Sequence, residues 1–121
     1  MFVAFASSNG ENIDQHFGWS KQFYLYEISK ESSTFIECKE SQKEIEDEKE
    51  KLRYKIESLG GADILYCTQI GPTAAKMTQA SGVYPVRVEE RQKITDAIEK
   101  LQELLNNQTP PWLLRIYHKQ R

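Results

Sequence analysis

The chain has 121 residues, a net charge of −2, and 39% apolar and 28% charged side chains. That length suits one compact domain able to bury a core without staples, so residues 1–121 are read as a single unit, with about 107–121 as a C-terminal tail. The acidic balance argues against nucleic acid as a partner, since non-specific binding wants a basic surface. No apolar run approaches the roughly 20 residues that span a bilayer, and the start Met1-Phe2-Val3 lacks the basic region of a signal peptide, which makes the cytoplasm the expected location with no membrane partner.

Residues 2–7 read as a buried strand ended by the turn cluster Ser7-Ser8-Asn9-Gly10. Residues 22–28, aromatic and β-branched, read as a second strand, and Thr34, Ile36 and Cys38 alternate as its hairpin partner. Residues 42–59 place Ile45, Leu52, Ile56 and Leu59 on one helical face, with Gly60-Gly61 as the stop. The charge run Glu44–Lys51 reads as the solvated face of that helix, in preference to a functional acidic patch. Asp63-Ile64-Leu65-Tyr66-Cys67 is a continuous apolar strand. Pro72 opens a short helix that Gly82 closes. Residues 83–88 form a fifth strand, which Pro85 places at an edge or near its own start. Ile94, Ala97, Ile98, Leu101, Leu104 and Leu105 mark a helix over about 91–106. Pro110-Pro111-Trp112 begins the tail, with one helical turn docked by Trp112. The order β β β α β α β α implies a three-layer α/β domain: a mixed five-stranded sheet with helices on both faces.

Two loops stand out for chemistry. Asp14-Gln15-His16-Phe17-Gly18 follows the first strand, and Cys67-Thr68-Gln69-Ile70-Gly71-Pro72 follows the fourth. Ligands in open α/β sheets bind beyond the carboxyl ends of strands. If those two strands are parallel neighbours, roughly 5 Å apart, both loops face one pocket and His16 and Cys67 become a pair. Imidazole is a common metal ligand and thiolate the usual ligand of iron–sulfur clusters. One histidine and at most one cysteine make a weak, open set suited to cargo that must be released. The helix beginning at Pro72 would add backbone N–H donors for an anion, and Asp14 could orient the imidazole.

Blander readings stand beside these. A lone histidine next to a phenylalanine in a loop is more often structural, and Cys67, at the end of a buried strand, reads first as core. Cys38 has no assigned role, and His118 reads as a solvated tail residue. Lys21, Lys76, Arg87 and Arg91 are candidates for an anion pocket, with surface placement as the default. The two cysteines form no Cys-x-x-Cys pair, which excludes a self-contained zinc or ferredoxin-type site. No P-loop, nucleophile elbow or dinucleotide fingerprint is present. Asp63 and Glu27 lack a third carboxylate for a two-metal site. No enzymatic activity is therefore expected.

At the same residues the chain resembles the dinitrogenase iron–molybdenum cofactor biosynthesis family. The motifs are Asp14-Gln15-His16-Phe17-Gly18 and Ala62-Asp63-Ile64-Leu65-Tyr66-Cys67-Thr68-Gln69-Ile70-Gly71-Pro72-Thr73-Ala74-Ala75, with the closing Pro110-Pro111-Trp112-Leu113 similar to NifX-type members. The resemblance runs nearly the whole length, and its two main motifs are specific only together. It implies a ribonuclease H-like fold. It implies binding of an iron–sulfur cluster precursor of the iron–molybdenum cofactor, received from a NifB-type donor and delivered to a scaffold acceptor among the cofactor-assembly proteins. The family's His-Phe-Gly histidine, a cofactor ligand, matches His16. Joined to the loop reading above, this gives the expected cofactor-binding set His16, Phe17, Gly18, Cys67, Thr68, Gly71 and Thr73, with His16 as the metal ligand the resemblance implies and Cys67 as the one the loop reading adds. Neither the docking extension of NafY nor the radical-SAM domain of NifB is matched, which leaves the carrier module. The alternative is a metal-free protein-interaction or regulatory module that binds nitrogenase assembly partners.

Overall fold

The computed structural model describes residues 1–89 and 91–119. Its main sheet has five strands: β1 (Phe2–Ala6), β3 (Gln22–Ile28), β4 (Ser33–Glu40), β5 (Ile64–Cys67) and β6 (Tyr84–Arg87), in the order β4-β3-β1-β5-β6. β3 runs antiparallel to both β1 and β4, whereas β1, β5 and β6 are parallel. The chain is thus a mixed-sheet α/β protein, as its early hairpin and later βαβ units imply. A second, two-stranded sheet pairs β2 (Asn12–Ile13) with β7 (Gln92–Lys93), too short to leave a period in the sequence.

The alternation of β1 sends its residues to opposite faces. Val3 and Phe5 join one core with Ile64, Tyr66, Leu113 of α4 (Pro111–Lys119) and the stripe Ile94, Ala97, Ile98, Leu101 and Leu105 of α3 (Ile94–Asn106). Ala4 and Ala6 join the other, with Leu25, Leu65, Cys67, Leu59 and Ala74 of α2 (Pro72–Ala80); Leu52 and Ile56 of α1 (Glu48–Glu57) pack against it. Helices therefore cover both faces. Each fully buried aliphatic of these stripes contributes about 1.5–3 kcal/mol. β5 is buried along its whole length, and β6 is an outer strand, where Pro85 leaves no ladder donor missing.

Two boundaries differ from the sequence pattern. The helix expected from residue 42 starts only after Asp47, whose carboxylate accepts the Glu50 N–H at 3.0 Å. That cap, three residues ahead of a glutamate, outweighs the apolar spacing from Ile45. Beyond α1, Gly60 and Gly61 both have positive φ, and a side chain at Gly60 would meet the Leu25 methyl at 2.8 Å. The tail, expected as one turn, is the nine-residue α4, with Trp112 stacked on Tyr84 at 4.3 Å.

Candidate functional site

The loops after β1 and β5 meet, because these strands are parallel neighbours. Phe17 N–H donates to the Gln69 carbonyl at 2.9 Å and Thr68 N–H to the Gln15 carbonyl at 3.0 Å, so His16 and Gln69 form a parallel bridge. Above that bridge lies a cavity of about 390 Å³ lined by His16, Thr68, Gln69, Arg87, Val88 and Glu89.

A single 3₁₀ turn, Phe17–Trp19, shapes the first loop, with Trp19 N–H donating to the His16 carbonyl at 3.1 Å. Such a turn eclipses residues three apart. The His16 and Trp19 rings accordingly stack at 4.2 Å and 10°. Trp19 is 70% exposed, whereas Phe17 between them is fully buried against Phe23. Phe17 thus anchors the turn, and the imidazole is left in the cavity wall without a hydrogen-bond partner among the described residues.

Cys67 lies elsewhere. It is the last residue of β5, fully buried among Ala4, Leu65 and Phe17's cluster, and it does not line the cavity. Burial pushes its thiol up to about 11, and the nearby Arg87 guanidinium offsets this only in part. Buried in the core and outside the cavity lining, Cys67 does not meet an occupant of that cavity in this conformation, so the pair reduces to His16. Asp14 does not orient the imidazole either. Its carboxylate accepts from Ser8 N–H at 2.9 Å, from the Ser8 hydroxyl at 2.5 Å, and from Gln15 Nε2.

The other expected residues divide. Thr68 lines the cavity, whereas Gly71 and Thr73, at the start of α2, do not. Gly18 faces a different cavity beside Trp19; a side chain at Gly18 or Gly71 would meet nothing within 4 Å. Arg87 is in the wall, and Lys21 lines the Gly18 cavity. Lys76 and Arg91 line neither. Among the described residues no three His, Cys, Asp or Glu groups gather as a metal site. Asp63 and Glu27 lie opposite Phe2 at the far end of β1, where Asp63 accepts the Phe2 N–H. Trp19 and Glu89 were missed from the sequence. The spacing of Trp19, three after His16 across a glycine, was the available signal.

Fold and loops define a small α/β module with an open shelf, at the carboxyl ends of its parallel strands, that presents one imidazole beside one guanidinium. The chain belongs to the dinitrogenase iron–molybdenum cofactor family, whose pattern matches residues 1–104. It is 37% identical to protein NifX of Azotobacter vinelandii over 98% of this chain and 76% of that protein. It is 38% identical to protein NifY of the same organism over 93% of this chain and 46% of that protein. It is 29% identical to the Klebsiella pneumoniae FeMo cofactor biosynthesis protein NifB over 69% of this chain and 19% of that protein. Among solved structures, PH0822 superposes with a TM-score of 0.67 at 24% identity, over 85% of this chain and 89% of that one, which establishes the fold alone. No described helix is long and apolar enough to cross a membrane.

Proposed function

We propose that this chain is a non-enzymatic carrier that binds an iron–sulfur precursor or intermediate of the iron–molybdenum cofactor and hands it on during cofactor assembly in the cytoplasm. The observation that carries this reading is the His16 imidazole, held against Trp19 in the wall of an open cavity with no hydrogen-bond partner among the described residues. A single nitrogen ligand gives a bond that an acceptor with more ligands can displace. Arg87 adds a cation suited to an anionic cluster, with the Glu89 carboxylate in the same wall. Thr68 and Gln69 offer further polar contacts. The likeness to NifX, NifY and NifB supports a cofactor-assembly role; the partners proposed for it are a NifB-type donor and a scaffold acceptor. The hairpin-first sheet with an antiparallel second strand supports reading the fold as ribonuclease H-like.

Anaerobic incubation with the isolated precursor, followed by gel filtration and absorption spectroscopy, tests the reading. Retained colour in the wild type and its loss in His16→Ala is the expected result. No retention by either protein would sink the carrier reading. The alternative, a metal-free interaction module, draws on one observation: outer strand β4 exposes Phe35 and Ile36. It requires a colourless wild-type protein that still captures apo-nitrogenase or assembly partners.

A further inference from the structure

On the far side of Trp19 a second cavity, of about 630 Å³, opens between the 3₁₀ turn, the segment after β4, and α1. Lys21, Lys43, Lys51 and Lys55 line it, together with Glu44 and Glu46. Four ammonium groups less two carboxylates leave a local excess of two positive charges, on a chain whose net charge is −2. None of these four lysines is in an ion pair with a carboxylate among the described residues.

Two buried groups show that this is more than a patch of surface lysines. Lys55 is only 5% exposed, and its ammonium donates to the Ser20 carbonyl and, at 2.8 Å, to the Ser41 carbonyl. An ammonium has three donors, so two neutral carbonyls leave its charge uncompensated. Burial, and after it the neighbouring Lys51 and Lys21 charges, push the Lys55 pKa down. Beside it, Ser41 is 1% exposed, lines the same cavity, and carries a buried hydroxyl oxygen with no hydrogen-bond partner. Buried hydroxyls are seldom left so. Unspent N–H and O–H donors around a net positive charge call for an acceptor-only, negatively charged occupant.

We propose that the lysine cavity is a binding site for a small dianion with carboxylate or phosphate oxygens, separate from the His16 site. Lysines read charge and distance and not planar shape, so phosphate and a short dicarboxylate meet the same donors. The fixed element is the Lys55 ammonium, with the Ser41 hydroxyl buried in the wall beside it. Lys21, Lys43 and Lys51 are the adjustable ones.

Titration calorimetry of the full chain with inorganic phosphate, with succinate and with acetate, at low ionic strength, tests the proposal. Saturable binding of phosphate or succinate at one ion per chain is expected, and whichever binds identifies the oxygen source. The Lys21→Gln/Lys51→Gln double variant should weaken binding roughly ten- to hundredfold, the scale of lost charge-assisted hydrogen bonds. Ser41→Ala should weaken it by a smaller factor, and His16→Ala should leave it intact, which separates this site from the carrier reading. Lys55 is left in place because it ties backbone segments together, and Lys43→Gln serves if the double variant does not fold. Absence of binding at millimolar phosphate and succinate overturns the proposal. So does acetate binding equally well, binding that survives the lysine substitutions, or binding lost in His16→Ala.

Discussion

The two loops that build the shelf are joined by a pair of backbone hydrogen bonds, yet their key side chains have opposite fates. In the first loop, a 3₁₀ turn buries Phe17 and leaves His16 and Trp19 stacked outside. In the second, strand alternation carries on to the last residue of β5, so Cys67 points into the core and only Thr68 and Gln69 reach the cavity. Adjacent backbones do not give adjacent side chains. Which face a residue takes is set by the period of its own segment.

The largest way to break that contrast is at Phe17. Phe17→Ala should cost about 3–5 kcal/mol in urea denaturation, the scale for a buried aromatic, while neighbouring Gly18→Ala, whose side chain would meet open space, should stay within about 0.5 kcal/mol. Equal losses would mean that the turn is not anchored from its buried side.

Next in size is the pH dependence at Cys67. The unfolded thiol ionises near its ordinary value of 9.0, the folded one only near about 11. Between these the unfolded state binds fewer protons, so stability falls as pH rises, by about 1.4 kcal/mol per unit. Lys55, its pKa lowered in the fold, contributes a slope of the opposite sign below 10.5. The readout is therefore the difference between wild type and Cys67→Ala from pH 9 to 10, below the Tyr66 window that runs from 10.0 to about 12. A parallel thiol assay sharpens the result: exposed Cys38 should react at once with a disulfide reagent, and Cys67 only on unfolding. Fast reaction of both would return Cys67 to the ligand set.

Smaller effects belong to the first loop. Asp14→Ala removes the acceptor of the Ser8 N–H and hydroxyl and should cost about 1 kcal/mol, with precursor retention unchanged. Loss of retention would restore Asp14 as a partner of the imidazole. Trp19→Ala should cost about 0.5–1 kcal/mol of stability, the value of an exposed stack, while lowering precursor retention by freeing His16.

Much of this was legible in the sequence. The five main strands, α2 and α3 follow from apolar period and from Gly and Pro punctuation. The convergence of the two loops follows from placing β1 beside β5. The 41–47 segment misled because Ile45 extends the stripe of α1, and only the Asp47 cap reveals where helical hydrogen bonding begins. β2 and β7 are too short for any period. The shelf residues came halfway: His16 and Thr68 stand where expected, and Cys67 is buried as its place at the end of an apolar strand suggests, away from the pair its chemistry proposed. The lysine cavity assembles residues from β3's approach, the segment after β4, and α1, and no local pattern joins these.

Trp19 is a partition between two rooms. Its ring lies on His16 on one side and its residue lines the lysine cavity on the other. One stack and a single helical turn hold that wall, so an occupant that moved it from one room would be felt in the other. Thermodynamic linkage then makes the effect mutual: whatever factor an occupant of one room exerts on binding in the other is returned unchanged. Trp19 is thus the residue through which two neighbouring cavities share a wall.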